Sequence, residues 1–285
     1  MDDFMGEDLA AMRIGIVGTG AVASGFARVL GGAPCDIYLW GRRSDRAREL
    51  AQETGIQWAD GLHQFGSLHA VILAVSDDAA GLVAGQVAEA VPRDARPAIF
   101  HTGGARTGAR AMGAGAAARF ELGSIHPLVA VPRVPVPGVH PFGGMPFAIE
   151  SSGARSLALA RSIVEALGGD VLELPKGSSP ESVKLRYHAL ATMVATGVAT
   201  LVDRAAAALA ESPGEAQALR AAYGKLAQSA ARNVSAQPGA LALTGALARG
   251  DEALLAEHVE ALRGDLNERL YAEILAAARG MLEDR

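Results

Sequence analysis

Three side chains have the types and spacing best suited to proton transfer: His126, Lys184 and His188. Histidine titrates near neutral pH, which suits a general acid or base. His126 lies in the stretch Ser124-Ile125-His126-Pro127, directly after a predicted strand. Lys184 and His188 are four residues apart, so a helix places them on one face. We interpret the three as catalytic. The alternatives are a structural histidine at 126, and at 184 and 188 an interdomain hydrogen-bond network or a solvent-facing lysine charge.

Four further polar residues are candidates for substrate contacts. Arg249 could clamp a substrate carboxylate, because a guanidinium offers forked donors. Thr244 fits a pocket and simple packing equally well. For the neighbouring Gly250 and Asp251 we favour a role in ending one helix and capping the next. The predicted substrate-binding residues are Ser124, Thr196, Thr244 and Arg249.

A glycine-rich turn near the start of the chain predicts a dinucleotide site. Gly18-Thr19-Gly20-Ala21-Val22-Ala23 follows an apolar strand and opens a helix. Gly18 permits the tight turn, Gly20 lets the backbone approach a pyrophosphate, and Ala23 allows close packing of helix on strand. The helix N-terminus offers free N–H groups to the phosphates. The alternative is a glycine-rich turn in a fold that binds no nucleotide.

The end of the second strand indicates which dinucleotide is bound. NAD sites carry an acidic residue about 20 residues after the glycines. Here the chain reads Trp40-Gly41-Arg42-Arg43-Ser44, and two guanidiniums with a hydroxyl suit a 2′-phosphate. We therefore predict NADP(H), with Trp40 or Arg42 flanking the adenine. The alternative is a solvated basic turn.

Two more strand ends should flank the cofactor, because doubly wound sheets bind ligands at the carboxyl ends of their strands. The fourth strand ends in Ala74-Val75-Ser76-Asp77, and Ser76 and Asp77 also suit a helix N-cap. The fifth ends in His101-Thr102-Gly103-Gly104. The cofactor-binding residues predicted here are Val75, Ser76, Thr102 and Gly103.

Alternating strand and helix patterns predict the elements that position these groups. Residues 12–176 read as an α/β, doubly wound Rossmann-like domain with a mostly parallel sheet. The segment Pro127–Pro141 carries five prolines and is predicted as an extended, stiff loop. We expect this loop to cover the site as a semi-rigid lid. Residues 177–285 lack strand alternation and form the predicted all-helical substrate and dimerisation domain. Its helices are predicted over residues 180–211, 213–233, 237–248, 251–263 and 265–283.

Composition and charge exclude several kinds of partner. The net charge of −5 argues against nucleic acid and anionic membranes. The single Cys35 excludes an intramolecular disulfide, which fits a cytoplasmic protein. Residues 1–11 lack the features of a signal peptide and are interpreted as a poorly ordered extension. Tyr187–Val202 is interpreted as a buried helix and not a membrane span. No metal is expected, since the remaining histidines lack ligand spacing.

Several stretches together resemble a known family. They are Ile14–Ala23, His101–Gly104, Gly123–Pro127, Tyr187-His188-Ala189, Leu243-Thr244-Gly245 and Arg249-Gly250-Asp251. Over about residues 12–275 the chain is similar to Rossmann-like proteins with a C-terminal helical domain of unknown function (DUF2520 type). These belong with ketopantoate reductase, pyrroline-carboxylate reductase, prephenate dehydrogenase and phosphogluconate dehydrogenase-like enzymes. The resemblance implies NAD(P) binding and a homodimer through interlocking helical domains, and it implies no particular substrate.

Two residues depart from that family's pattern. Gly103 stands where the family usually has serine, and Thr196 where it often has asparagine. The sequence thus predicts an NADP(H)-dependent reductase or dehydrogenase for a small carbonyl or imine compound. One alternative is a non-catalytic NADP(H)-binding sensor or scaffold, which the two departures make more plausible. The other is a structural dimer that has lost the nucleotide.

Overall fold

The computed structural model describes residues 11–132, 134, 138–175 and 179–283. An eight-stranded sheet has the order β3-β2-β1-β4-β5-β6-β7-β8. Strands β1 to β6 are parallel, whereas β7 runs antiparallel to β6. The chain returns to the sheet centre at β4, so the predicted doubly wound Rossmann fold is confirmed. The strands are β1 (Arg13–Val17), β2 (Asp36–Trp40), β3 (Gln57–Trp58), β4 (Ala70–Leu73), β5 (Ala98–His101), β6 (Leu122–Pro127), β7 (Pro146–Ser151) and β8 (Asp170–Leu172).

Helices surround the sheet and form the rest of the chain. A short 3-10 helix, Leu62–Ser67, lies between β3 and β4. The α-helices in the described residues are α1 (Ala21–Leu30), α2 (Ser44–Thr54), α3 (Asp77–Ala90), α4 (Gly108–Met112), α5 (Ala114–Ala117), α6 (Ala154–Ala166), α7 (Pro180–Leu209), α8 (Pro213–Ala236), α9 (Gly239–Ala242), α10 (Gly245–Arg249), α11 (Glu252–Ala261) and α12 (Leu266–Glu283).

The sheet is covered on both faces because alternate side chains of each strand point to opposite sides. In β4, Ala70 and Ile72 join one apolar cluster, whereas Val71 and Leu73 join the other. The first cluster includes residues of α1, α2 and α6, and the second includes residues of α3, α4 and α5. Burial on both faces explains the continuous apolar runs of the central strands.

Some boundaries differ from the sequence prediction. β6 extends to Pro127 instead of ending at Ser124, because the antiparallel partner β7 continues its pairing through Phe147. The helix predicted over 237–248 is wrong: it is two short helices, α9 and α10. The break falls at Leu243 and Thr244, which are extended, and Gly245 follows with a φ of 80°.

Local capping follows the sequence closely. Ser179 Oγ accepts a hydrogen bond from Ser182 N–H at 3.1 Å, so Ser179 caps α7 ahead of Pro180 as predicted. Gly250 ends α10 in the left-handed conformation, and the Asp251 carboxylate accepts from Leu254 N–H at 3.2 Å. The predicted capping roles of Gly250 and Asp251 are confirmed.

The chain divides into two compact units, Met1–Ala191 and Thr192–Arg285. The first unit contains the sheet and the opening turns of α7. The predicted domain limit near residue 176 lies in a stretch outside the described residues, as does most of the predicted extension 1–11, and the division into domains at that point stays a prediction. Of the proline-rich segment, residues 128–132, 134 and 138–141 are described, and these form neither helix nor strand.

Helix α7 is more exposed than predicted. It is long and apolar enough to cross a membrane, yet only 6% of its most apolar stretch is buried. The interpretation of Tyr187–Val202 as a buried helix is therefore wrong for the single chain. The side chains of Met193 and Val194 are 64% and 61% exposed. Helix period alone reveals an apolar face, and it does not reveal what covers that face.

Candidate functional site

The strand order places one crevice at the carboxyl ends of β1 and β4. These strands are neighbours, but their following helices α1 and α3 pack on opposite faces of the sheet. Such a topological switch point is where doubly wound sheets bind ligands. Because β5 and β6 are parallel to β1, the ends of all these strands lie at the same edge.

The glycine turn occupies the β1 end of this edge. Gly18 has a φ of 128°, and a Cβ there would collide with the Ala74 carbonyl oxygen, so only glycine fits. Its N–H donates to Trp40 O at 2.9 Å. Gly20 is the N-cap of α1, and no heavy atom outside the turn lies within 4 Å of the position that a Cβ would take. The backbone is thus open to a ligand at the helix N-terminus.

The residues around Gly20 are less exposed than Gly20 itself. Thr19, Ala21 and Val22 are half-buried, and Val22 also packs against the core cluster that includes α1. These features are those of a phosphate cradle, in which backbone N–H groups and not side chains face the ligand. The turn thus has the open backbone that a pyrophosphate would need, and the binding of one stays a prediction.

A basic turn follows β2. Arg42, Arg43 and Ser44 are exposed, and no ion pair of Arg42 or Arg43 is found among the described residues. Trp40 is half-buried against the core cluster that includes α3. We call Gly18–Val22 together with Trp40–Ser44 the glycine-turn end. Its two unpaired guanidiniums are available to a phosphate.

The ends of β4 and β5 lie between the glycine-turn end and β6. Ser76 is the exposed N-cap of α3, although its side chain makes no capping hydrogen bond, and Val75 is half-buried. Thr102 N–H donates to Leu73 O at 3.3 Å, joining the two strand ends. Gly103 N–H donates to His101 Nδ1 at 3.1 Å. A serine at 103 would bring its Cβ against the Asp77 carboxylate, so the departure at this position makes room for Asp77.

A cavity of about 450 Å³ lies between α1, α2 and the segment that follows β6. It shares Thr19 and Ala21 with the glycine turn, and Arg28, Leu50 and Val131 are among its other lining residues. None of the predicted catalytic residues lines it. We do not assign the reaction to this cavity, because the side chains able to transfer protons lie elsewhere on the same sheet edge.

The predicted catalytic histidines come together at the end of β6. His126 Nδ1 lies 3.0 Å from the Tyr187 hydroxyl. The His126 ring meets the rings of Tyr187 and His188 edge to face, with centroids 5.6 Å apart in both pairs. A Cβ on Gly104 would lie 2.6 Å from His188 and 2.8 Å from His126. The missing side chain at 104 therefore lets the chain approach both rings.

Lys184 is buried beside them, with 2% of its surface exposed. Its Nζ donates to Ser124 Oγ at 2.6 Å, and Ser124 is fully buried. The predicted pairing of Lys184 and His188 on one face of α7 is thus realised next to His126. Ser124, predicted to bind substrate, has its hydroxyl occupied by the lysine.

Burial shifts the proton affinities of this group. Burial lowers the pKa of His126 to about 4, with the nearby His188 and Lys184 charges adding to the effect. Burial also lowers the pKa of Lys184, against the attraction of Glu150, Glu181 and Asp77. It raises the pKa of Tyr187 to about 12. At neutral pH His126 is therefore uncharged, and one of its ring nitrogens can accept a hydrogen bond.

Several members of the site were not predicted from the sequence. Tyr187 precedes His188 and is part of the Tyr187-His188-Ala189 motif, but the sequence gives it no separate role. Glu150 comes from β7, where it faces Ser124 across the antiparallel pair. His101 is 2% exposed, and its Nε2 has no hydrogen-bond partner among the described residues. Burial together with Lys184 lowers its pKa to about 4. We call these residues, with Ser124, His126, Lys184 and His188, the histidine–lysine cluster.

Three predicted substrate residues lie in the other compact unit. Thr196 is exposed on α7, Thr244 is the exposed N-cap of α10, and Arg249 is exposed in the last turn of that helix. All three are outside the cluster as defined. Their part in substrate binding stays a prediction.

Comparison with known proteins finds one family model and several solved structures with the same fold. Residues 145–278 match the family model described as a domain of unknown function, DUF2520. No curated protein sequence matches the chain. A provisionally named NADP oxidoreductase from Bacteroides fragilis is 20% identical, with a TM-score of 0.69, over 95% of this chain and 99% of that one.

Two further solved structures share the fold. A Thermotoga maritima protein is 21% identical with a TM-score of 0.66, over 95% of this chain and 98% of that one. The pyrroline-5-carboxylate reductase of Streptococcus pyogenes is 16% identical with a TM-score of 0.59, over 96% and 98%. Residues 145–278 of this chain are therefore similar to the DUF2520 domain, and the chain as a whole shares its fold with these solved structures.

Proposed function

We propose that this protein is an NADP(H)-dependent oxidoreductase that transfers hydride to or from a small carbonyl or imine compound. The observation that carries the proposal is the placement of two chemically different sites at one sheet edge. The glycine-turn end offers an anion cradle, and the histidine–lysine cluster offers groups that hold protons. A dinucleotide laid along such an edge spans both.

The glycine-turn end would hold the cofactor. Gly18 and Gly20 would bring the backbone to the pyrophosphate, and Arg42, Arg43 and Ser44 would hold a 2′-phosphate. Val75, Ser76, Thr102 and Gly103 lie on the strand ends between this turn and the cluster. When bound, the nicotinamide supplies or accepts the hydride.

The histidine–lysine cluster would manage the proton that accompanies the hydride. Lys184 uses one of its three N–H donors in the hydrogen bond to Ser124, which leaves the other two for a substrate heteroatom. His126 is neutral above about pH 5, since its pKa is near 4, and its contact with the Tyr187 hydroxyl orients that side chain. We assign the donor role in reduction to Lys184 and the orienting role to His126, Tyr187 and His188.

Fluorescence titration with NADPH and NADH tests the cofactor, and a screen of ketones and cyclic imines with NADPH tests the reaction. We expect saturable NADPH binding that is tighter than NADH binding, followed by loss of NADPH absorbance with an accepted substrate. Binding without turnover across the screen would support the sensor instead. Absence of binding for both nucleotides would refute the cofactor assignment.

We further propose a homodimer formed through the helical region. Support comes from the exposed apolar face of α7, where Leu190, Met193, Val194 and Val198 are 46–64% exposed. Exposed apolar surface of this extent is typical of protein–protein contacts.

Light scattering tests the dimer and should give twice the 29.2 kDa chain mass. Met193→Glu with Val194→Glu should shift the protein to the monomer, whereas Leu82→Glu, on exposed α3, should not. A wild-type mass of one chain would refute the dimer.

A further inference from the structure

A buried lysine, a serine and a glutamate are connected side by side in the histidine–lysine cluster. Lys184 Nζ donates to Ser124 Oγ at 2.6 Å. Ser124 faces Glu150 in the β6–β7 register, and hydrogen bonding by its hydroxyl lowers the pKa of that carboxyl. The Glu150 carboxylate also accepts from Gly108 N–H at 2.9 Å, which fixes its position. The serine hydroxyl thus connects an ammonium to a carboxylate.

The three residues differ in their access to water. Lys184 is 2% exposed and Ser124 is 0% exposed, so neither can exchange a proton with solvent directly. Glu150 is only half-buried. Burial raises the pKa of its carboxyl, against the lowering effects of Gly108, Lys184 and Ser124, which brings proton uptake closer to neutral pH. Along this chain of contacts, Glu150 is the member that meets solvent.

Other charged groups surround Lys184, but none is as well connected to it. Glu181 and Asp77 attract its charge, and His126 and His101 are also near. Glu181 is held by Thr107, whose hydroxyl and N–H both contact its carboxylate. Neither Glu181 nor Asp77 lies within ion-pair distance of Lys184 among the described contacts. The hydrogen-bonded path from the ammonium leads through Ser124.

We propose that Glu150 and Ser124 form the route by which Lys184 recovers its proton from solvent. This rests on the proposed function, in which Lys184 protonates the heteroatom of the C=O or C=N bond as the nicotinamide hydride reaches carbon. Lys184 is then a neutral amine. The Glu150 carboxylate first takes a proton from solvent hydronium. The Ser124 hydroxyl proton then passes to the Lys184 nitrogen as the Glu150 carboxyl proton passes to Ser124 Oγ. The lysine is again an ammonium, the serine a hydroxyl and Glu150 a carboxylate. Ser124 and Glu150 act as positioning residues, because neither contacts the reacting atoms.

Exchange of the Lys184 ammonium protons with water measures this route directly. The chain has three lysines, Lys176, Lys184 and Lys225, so lysine labelled with ¹⁵N at Nζ gives few NMR signals. Lys184→Arg assigns the signal, and exposed Lys225 is the internal reference. We expect Glu150→Gln and Ser124→Ala to slow exchange at Lys184 by about tenfold or more. The first removes the carboxyl group that takes up the proton, and the second removes the hydroxyl that relays it.

Matched variants separate a route from a general electrostatic effect. Glu181→Gln removes a nearby carboxylate outside the path and should leave the exchange rate within about twofold of wild type. Glu150→Asp should restore part of the rate. Unchanged or faster exchange in Glu150→Gln, or equal slowing in Glu181→Gln, would overturn the route.

The experiment requires neither substrate nor nucleotide. Parallel NADPH titration of the same samples therefore tests the proposed function separately. Slowed Lys184 exchange in the variants, without nucleotide binding, would support the proton route and refute the oxidoreductase. Nucleotide binding with unchanged Lys184 exchange would refute the proton route and leave the oxidoreductase proposal in place.

Discussion

The glycine-turn end and the histidine–lysine cluster lie on the same sheet edge but are built differently. The glycine-turn end consists of two short stretches, each continuous in sequence, and its arginines are exposed. The cluster draws Ser124, Glu150 and Lys184 from β6, β7 and α7 and buries the lysine. An anion cradle needs backbone geometry and exposed charge. Proton transfer needs groups with a shifted pKa, which burial and charged neighbours from other elements provide.

Replacement of Lys184 by methionine should separate the two regions most strongly. We expect turnover of an accepted substrate to fall by about a thousandfold, since a positioned acid contributes factors of that order. NADPH affinity should stay within about twofold, because the glycine-turn end is untouched. Steady-state kinetics and NADPH titration measure the two effects. Full turnover in Lys184→Met would remove the lysine from the mechanism.

Gly18→Ala should produce the reverse pattern. The alanine Cβ would meet the Ala74 carbonyl, and the φ of 128° is unfavourable for it, so we expect NADPH affinity to fall by about 100-fold. Gly85→Ala is the control, because its Cβ would meet nothing within 4 Å in α3. Fluorescence titration of both variants gives the comparison. Equal affinities would show that the turn does not hold the nucleotide.

Acid should destabilise the cluster and not the glycine-turn end. The folded-state pKa values of His101 and His126 are about 4, below their ordinary 6.5. The unfolded chain therefore takes up protons first as pH falls, and stability is complete above about pH 6.5. Between pH 7 and 5 we expect the free energy of unfolding to fall by roughly 2 kcal/mol for each ring.

Urea unfolding at the two pH values checks this loss. His101→Asn should remove about one ring's share of the difference, whereas His63→Asn, an exposed histidine, should leave it unchanged. An identical pH dependence in His101→Asn and wild type would contradict the assignment.

The smallest expected effect concerns cofactor selection. Arg42→Ala and Arg43→Ala should each weaken NADPH binding by about tenfold, the loss of one charge-assisted contact to phosphate. NADH binding should change by less than about twofold, because NADH lacks the 2′-phosphate. Arg263→Ala, an exposed arginine of the helical region, serves as control. Parallel losses for both nucleotides would place the arginines elsewhere on the cofactor.

Much of the glycine-turn end could be predicted, because the residues that form it are close together in the sequence. The strand β1 and the turn after it follow from an apolar run and glycines in fixed order, and the structure forms both. The cluster could be predicted only in part. His126, Lys184 and His188 are identifiable as polar residues in apolar surroundings. Glu150 has no such pattern, because its importance comes from pairing with a strand that lies 26 residues earlier at Ser124.

The sequence by itself determined the order of strands and helices, the glycine turn, the basic residues after β2 and the helix caps at Ser179, Gly250 and Asp251. These depend on residue periodicity and on contacts a few residues long. Tertiary structure decided that Lys184 is buried against Ser124, that His126 lies beside Tyr187 and His188, and that the apolar face of α7 stays exposed in the single chain. Those outcomes depend on strand register and on packing between elements distant in sequence, which no local pattern encodes.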